Sequence, residues 1–157
     1  MRASIHLLAL ALMACRPAGR PSPAPSALSD QAGLTREMAA QLERAASDWN
    51  RGDLEGFLSD YAPESTTTFV DGYRTRHGFD FIRDNYAGRF APAARRDSLR
   101  FEEVEARRLS STLALVTARF ILERGSIITS SGPFTLVMEH RPEGWKILHD
   151  HSSSDPR

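Results

Sequence analysis

The chain has little cysteine, no long apolar run and no surplus of charge of either sign. Its 157 residues include one Cys, so a disulfide within the chain is excluded and the domain must hold together by burial alone. The longest apolar stretch, Ile5 to Met13, covers about nine residues, against the ~20 that a membrane-spanning helix needs. The 20 Lys and Arg residues balance 20 Asp and Glu residues, which argues against nucleic acid as a partner, and the pair Arg95-Arg96 is too small a basic cluster to change this.

The first fifteen residues have the pattern of a segment for export. Arg2, the short apolar stretch and Ala14 follow the order of a cleaved secretory signal. Leu12-Met13-Ala14-Cys15 resembles the lipobox of bacterial lipoproteins, in which the cysteine is acylated and becomes the new N-terminus. We therefore expect residues 1–14 to be a lipoprotein signal peptide and Cys15 to be the lipidation site. An ordinary secretory signal with a chance cysteine is the alternative.

This N-terminus implies a location and a domain plan. The lipid anchor would hold the protein at a membrane of the cell envelope, and Arg16 rather than Asp after the cysteine favours the outer membrane if there are two. The Pro-, Ala- and Ser-rich stretch that completes residues 15–29 predicts an extended tether. Residues 30–155 are then about 125 residues, enough for one domain with a core of its own.

Helical periodicity is concentrated in the first half of this domain. Apolar residues recur every three or four positions from Leu34 to Trp49, which predicts an amphipathic helix. Gly52 suits the left-handed residue that ends a helix, and Asp53 suits the N-cap of a second helix that Pro63 stops. Spacing within Phe79 to Phe90 predicts a third helix.

Strand patterns dominate the second half. A β-branched stretch from Ser65 to Val70 predicts an early strand, and everything after Ser98 reads as sheet. The later strands are expected at residues 113–122, 134–141 and 145–152, with Ser130 to Pro133 as a loop. Helices first and strands last indicate an α+β domain.

Two segments resemble a known superfamily. Trp49-Asn50-Arg51-Gly52-Asp53 is similar to the helix junction of nuclear transport factor 2-like (NTF2-like) proteins. Gly132-Pro133-Phe134-Thr135-Leu136 and the segment from Gly144 to Ser152 resemble the final hairpin of the SnoaL-like, ketosteroid-isomerase-like branch. The resemblance implies a cone-shaped domain of three N-terminal helices packed on a curved antiparallel sheet, with a pocket between them. It also implies a homodimer, because the outer sheet face often forms one in this superfamily.

The strongest local motif is His149-Asp150-His151 on the last predicted strand. Alternate residues of a strand share a face, so Trp145, Ile147, His149 and His151 are expected to point inward together. Two such imidazoles could contact a ligand, act as acid and base near neutral pH, or contribute to a metal site. The alternative is a structural pair bonded to its neighbours. Trp145 is expected to pack in the core.

Charged and aromatic residues supply the remaining candidates. Arg119 and Glu139 interrupt apolar strands and could pair across the sheet or line the pocket, or they could simply face water. Tyr61, Phe69 and Tyr86 are the aromatic residues most expected at the pocket, ahead of Phe57. The isomerases of the superfamily use an Asp base with a Tyr; Asp71, Tyr61 and Tyr86 are of the right types, but no motif fixes their positions.

Three functions are compatible with these patterns. We expect an envelope-anchored domain that binds a small, apolar molecule in an aromatic pocket, without cofactor or metal. The first alternative is an isomerase, cyclase or dehydratase with His149 or His151 as acid/base. The second is a dimeric interaction module without a ligand.

Overall fold

The computed structural model describes residues 25–156 of the chain and the side chains of residues 30–156. The predicted signal peptide, Cys15 and the first part of the tether lie outside the described residues. The domain is α+β, as predicted, with three helices in the first half of the described residues and a curved, mostly antiparallel six-stranded sheet whose four long strands follow them. Its elements in chain order are α1 (Pro25–Arg51), α2 (Leu54–Leu58), β1 (Thr68–Asp71), β2 (Arg74–His77), α3 (Phe79–Phe90), β3 (Ser98–Arg108), β4 (Leu113–Arg124), β5 (Ile127–Arg141) and β6 (Gly144–Ser152).

Helix α1 buries the apolar stripe that its sequence predicts. Leu34, Met38 and Trp49 on this face are almost completely buried. The helix begins at Pro25, so residues 25–29, which were predicted to be extended tether, are helical. None of the helices in residues 25–156 combines the length and the apolar character needed to cross a membrane.

The junction between α1 and α2 forms as predicted. Gly52 takes a positive φ of 81°, which a glycine adopts without the steric cost of a Cβ atom. The Asp53 side chain then caps α2 by accepting a hydrogen bond of 2.8 Å from the amide of Gly56. This junction brings Phe57 and Leu58 into the core beside α1.

The strand order is β2-β1-β6-β5-β4-β3. All neighbours are antiparallel except β1 and β6, which run parallel, so the purely antiparallel sheet expected from sequence is corrected at one pair. Strand β2 was not predicted, and residues 130–133, predicted as a loop, lie inside β5.

A β-bulge in β6 decides which side chains face inward. Met138 pairs with Ile147, whereas Val137 pairs with His149, so Leu148 is an extra residue without a partner. One extra residue reverses the alternation of a strand beyond it. Trp145 and Ile147 are buried as predicted, but after the bulge Asp150 is buried and His151 is exposed. The predicted inward face with both histidines is therefore wrong beyond Ile147.

Candidate functional site

A cavity of about 500 Å³ lies between the helices and the inner face of the sheet. This volume is within the range of ~300–1,000 Å³ typical of small-molecule sites. The wall combines apolar and polar side chains, and eight aromatic side chains contribute to it: Trp49, Phe57, Tyr61, Phe69, Tyr86, Phe101, Phe120 and Phe134.

The aromatic residues on the helical side pack against each other. The ring centroids of Phe57 and Tyr86 are 5.0 Å apart, and those of Trp49 and Phe57 are 5.3 Å apart, both with edge-to-face geometry. Such pairs contribute stability in addition to the stability that comes from burying their apolar area. Tyr61, Phe69 and Tyr86 line the cavity, and Phe57, which was ranked behind them, does so as well.

The polar residues of the wall include Asp60, Asp71, Asn85 and Asp150, and Asp150 forms a hydrogen-bonded pair with Tyr61. The Tyr61 hydroxyl donates a hydrogen bond of 2.6 Å to the Asp150 carboxylate, and the Ser152 hydroxyl donates a second one of 2.9 Å. Asp150 is buried on β6. Burial in this apolar wall raises the pKa of Asp150 to about 6, although the two hydroxyl donors partly oppose the shift. The carboxyl therefore titrates close to neutral pH.

The two tyrosines remain protonated near this carboxyl. Burial raises the pKa of Tyr61 well above its usual range, and the nearby Asp150 carboxylate adds to the shift. Burial and the same carboxylate also raise the pKa of Tyr86. A ligand in the cavity would thus meet the Tyr86 hydroxyl, the Tyr61 oxygen, whose proton is donated to Asp150, and a carboxyl that can give or take a proton.

The C-terminal tail forms one edge of the cavity mouth. Residues 152–154 line the cavity, and the chain continues beside β5, where the Ser153 amide donates to the Pro133 carbonyl at 3.1 Å and the Asp155 amide donates to the Ser131 carbonyl at 2.8 Å. The Asp155 carboxylate accepts from the Ser131 hydroxyl and pairs with Arg119. These contacts hold the tail against the sheet.

Gly132 is required by the tail rather than by a turn. A Cβ atom at this position would overlap the carbonyl oxygen of Ser153. We expect Gly132→Ala to separate the tail from β5 and to lower the free energy of unfolding by about 1–3 kcal/mol, the usual cost of overpacking. Denaturant unfolding measures this loss.

Gly33→Ala is the matched control for that variant. No atom lies within 4 Å of a Cβ built on Gly33, which is inside α1, so alanine there should stabilise by about 0.5–1 kcal/mol. A Gly132→Ala protein as stable as the wild type would show that the tail does not pack closely on β5.

Asp71 lies on the cavity wall, whereas Arg119 and Glu139 lie outside it. Arg119 pairs with Asp155, and Glu139 pairs with Arg141. The two sit at distant positions of β4 and β5, because Arg119 is opposite Pro133 and Glu139 is opposite Leu113. They neither pair with each other nor line the cavity.

The two histidines also point away from the cavity. His149 Nδ1 lies 2.6 Å from the Thr68 hydroxyl. Partial burial lowers the pKa of His149, and the nearby His151 lowers it further. His151 is exposed. Within residues 30–156, no three His, Cys, Asp or Glu side chains come together as metal ligands. The pocket contact predicted for the histidines is replaced by Asp150, which lies between them.

Comparisons with known proteins agree with this geometry. The SnoaL-like domain family matches residues 39–156. Comparison with curated protein sequences gives no match. Among solved structures, an NTF2-like protein of unknown function from Shewanella oneidensis is 29% identical, with a TM-score of 0.68 over 76% of this chain and 98% of that one.

A second structure has the same fold at lower identity. It is a protein of the NTF2-like family from Streptomyces avermitilis that is proposed to be a dehydratase. It is 21% identical, with a TM-score of 0.60 over 85% of this chain and 100% of that one.

Proposed function

The chain belongs to the SnoaL-like domain family, and we propose that its cone binds a small, largely apolar molecule that carries at least one polar group. The observation that supports this most strongly is the aromatic cavity of about 500 Å³ with the buried Asp150–Tyr61 pair in its wall. The aromatic walls would take the apolar body through the hydrophobic effect. The polar pair would fix its orientation, as a few polar groups do in most such sites.

Native mass spectrometry of the purified domain tests this proposal. We expect a fraction of the protein to carry an additional small mass under native conditions and to lose it when denatured. Protein of identical mass under both conditions, which also fails to bind an apolar dye, would contradict a binding function.

Proton transfer is a second candidate function, and the titration of Asp150 near pH 6 supports it. General bases work best when their pKa lies near the working pH. Asp150 thereby takes the acid/base role first considered for His149 and His151. It could remove a proton from a carbon atom of a bound substrate and return it elsewhere, as an isomerase, cyclase or dehydratase requires.

Base catalysis by Asp150 can be measured with 5-nitrobenzisoxazole, whose ring opens when a base removes its C3 proton and the N–O bond breaks. We expect a rate that rises as the pH passes through about 6, because only the deprotonated carboxyl accepts the proton. Asp150→Asn should lower the rate by about 10²-fold or more. Asp84→Asn, which removes an exposed carboxyl from α3 outside the cavity wall, should leave the rate unchanged. Equal rates in all three proteins would leave binding as the function.

Export and lipid anchoring complete the proposal, and they rest on the sequence of residues 1–15. Cys15→Ser is expected to abolish acylation and to move the protein from the membrane fraction to the soluble fraction, because stable anchoring needs two or more acyl chains. Acyl-label incorporation and fractionation measure this. A Cys15→Ser protein that stays with membranes would contradict it. Homodimerisation through the outer sheet face stays a prediction.

A further inference from the structure

A second, smaller cleft of about 260 Å³ opens beside the mouth of the cone. Its walls come from α1, from α3, from β4 and from the segment that connects α3 to β3. The residues that line it are Trp49, Gly88, Arg89, Ala94, Arg95, Arg96, Asp97 and Leu122. Trp49, Arg89, Asp97 and Leu122 also line the cone, so one molecule could occupy both spaces.

The cleft is positively charged. Arg89, Arg95 and Arg96 form no ion pair with a carboxylate among the residues that the structure describes. Asp97, the one acidic residue of the wall, is already neutralised. It pairs with Arg124 at 2.7 Å and accepts a hydrogen bond of 2.6 Å from Thr129. Three guanidinium groups therefore remain available to an anion.

Arg96 is held in place before any ligand arrives. Its guanidinium carbon lies 5.0 Å from the centroid of the Phe90 ring, and Nη1 donates to the Arg89 carbonyl at 3.4 Å. A Cβ atom on Gly52 would lie 2.7 Å from Nη2 of Arg96, so a glycine at the helix junction makes room for this side chain. A side chain that is already ordered loses less entropy when it binds.

We infer that this cleft binds the anionic end of the ligand whose apolar body lies in the cone. The inference rests on the proposed binding function and narrows the ligand to an amphiphilic acid. Carboxylate and phosphate oxygens share the required chemistry, because arginine offers both of them paired N–H donors. The neighbouring apolar cavity distinguishes this cluster from solvated surface arginines, since a head group at the cleft places the attached chain or ring at the cone mouth.

Two dyes with the same aromatic body separate the anion site from the cone. N-phenyl-1-naphthylamine is neutral, and 8-anilinonaphthalene-1-sulfonate carries an anionic sulfonate on that body. The experiment measures the dissociation constants of both dyes by fluorescence for the wild type and for a double variant, Arg95→Gln with Arg96→Gln, whose residues line the cleft but not the cone. Arg83→Gln is the matched control. It removes one guanidinium group from outside the cleft, on α3, where Arg83 pairs with Asp80 and Asp84.

The double variant should weaken binding of the sulfonate dye by about tenfold or more, the factor that corresponds to about 1.4 kcal/mol, and should change binding of the neutral dye by less than about twofold. Raising the salt concentration should weaken binding of the sulfonate dye to the wild type, because salt screens exposed charges. Arg83→Gln should leave both constants unchanged.

The outcomes distinguish the two proposals. If neither dye binds the wild type, the proposed binding function fails and the anion site fails with it. If the neutral dye binds but the double variant leaves the affinity of the sulfonate dye unchanged, the anion site alone is wrong. Displacement of the neutral dye by decanoate, by decyl phosphate and by decanol then identifies the head group. The affinity for the preferred acid should be about tenfold lower in the double variant, whereas the affinity for decanol should not change.

Discussion

Asp150→Asn should become more stable relative to the wild type, by about 2–3 kcal/mol, as the pH rises from about 4 to 7, since each unit of pKa shift is worth about 1.4 kcal/mol. Burial raises the pKa of Asp150 from 3.8 to about 6 in the folded protein. Between these values the folded state holds a proton that the unfolded state has released. Wild-type stability therefore falls with rising pH through this window and levels off above it. Asparagine does not titrate, so the variant lacks this loss.

The measurement is the free energy of unfolding by urea for both proteins at several pH values. Burial also raises the pKa of Asp60 to about 6, despite the opposing effect of Arg44, so the pH dependence of the wild type alone does not identify the group. Asp60 is present in both proteins, and its effect cancels in the difference. A difference that stays constant within about 0.5 kcal/mol, the scale of ordinary surface effects, would show that Asp150 is not buried in an apolar wall.

Trp145→Ala should lower the free energy of unfolding by about 3–5 kcal/mol, the usual cost of deleting a buried Trp or Phe side chain. Trp145 is only 5% exposed. Its ring packs edge-on against His140 with centroids 5.0 Å apart, and the Gln41 side chain from α1 donates to its carbonyl at 3.0 Å. Trp145 therefore contacts both the neighbouring strand β5 and the first helix.

Trp145→Phe is the matched variant. The Trp145 indole Nε1 is buried and has no hydrogen-bond partner among the described residues, so phenylalanine keeps an aromatic ring and removes an unsatisfied donor. We expect it to lose clearly less stability than the alanine variant. A loss below about 1 kcal/mol for Trp145→Ala would show that the ring is exposed, because changes of that size are typical of surface positions.

The helical half of the fold could be predicted from sequence because its determinants are local. The stripe from Leu34 to Trp49, the positive φ of Gly52, the Asp53 cap and the third helix at Phe79–Phe90 each depend on residues a few positions apart. Tyr61, Phe69 and Tyr86 were chosen because the cone implied by the resemblance has a lined pocket, and their side chains lie on the cavity wall.

Features that depend on distant strands could not be predicted in this way. The bulge at Leu148 exists only in the register between β5 and β6, and no residue near it marks it, so alternation assigned the histidines instead of Asp150 to the cavity. Gly132 resembled a loop residue, although it lies in β5 to accommodate the tail. Asp150 lies between two histidines in the sequence, so no apolar neighbour marked it as a buried carboxyl.

Arg95-Arg96 shows a similar limit. In the sequence, this pair is too small a basic cluster to indicate nucleic-acid binding. Folding places it beside Arg89 from α3 and at the mouth of an apolar cavity, a combination that the sequence does not display because the residues come from different elements.

Filling the cone from inside tests the central claim most directly. Ala45 lies on the cavity wall, and Ala40 is exposed on the same helix, so Ala45→Phe and Ala40→Phe make the same change inside and outside the cavity. The measurement is the dissociation constant of N-phenyl-1-naphthylamine for the wild type and both variants. Circular dichroism and thermal unfolding establish that each protein is folded. If Ala45→Phe does not fold, Leu136→Trp replaces it, because Leu136 also lies on the cavity wall. The account predicts that the wild type and Ala40→Phe bind the dye equally and that the filled cavity binds it at least about tenfold more weakly, a loss of about 1.4 kcal/mol. Equal binding by all three proteins, or no binding by the wild type, would contradict it.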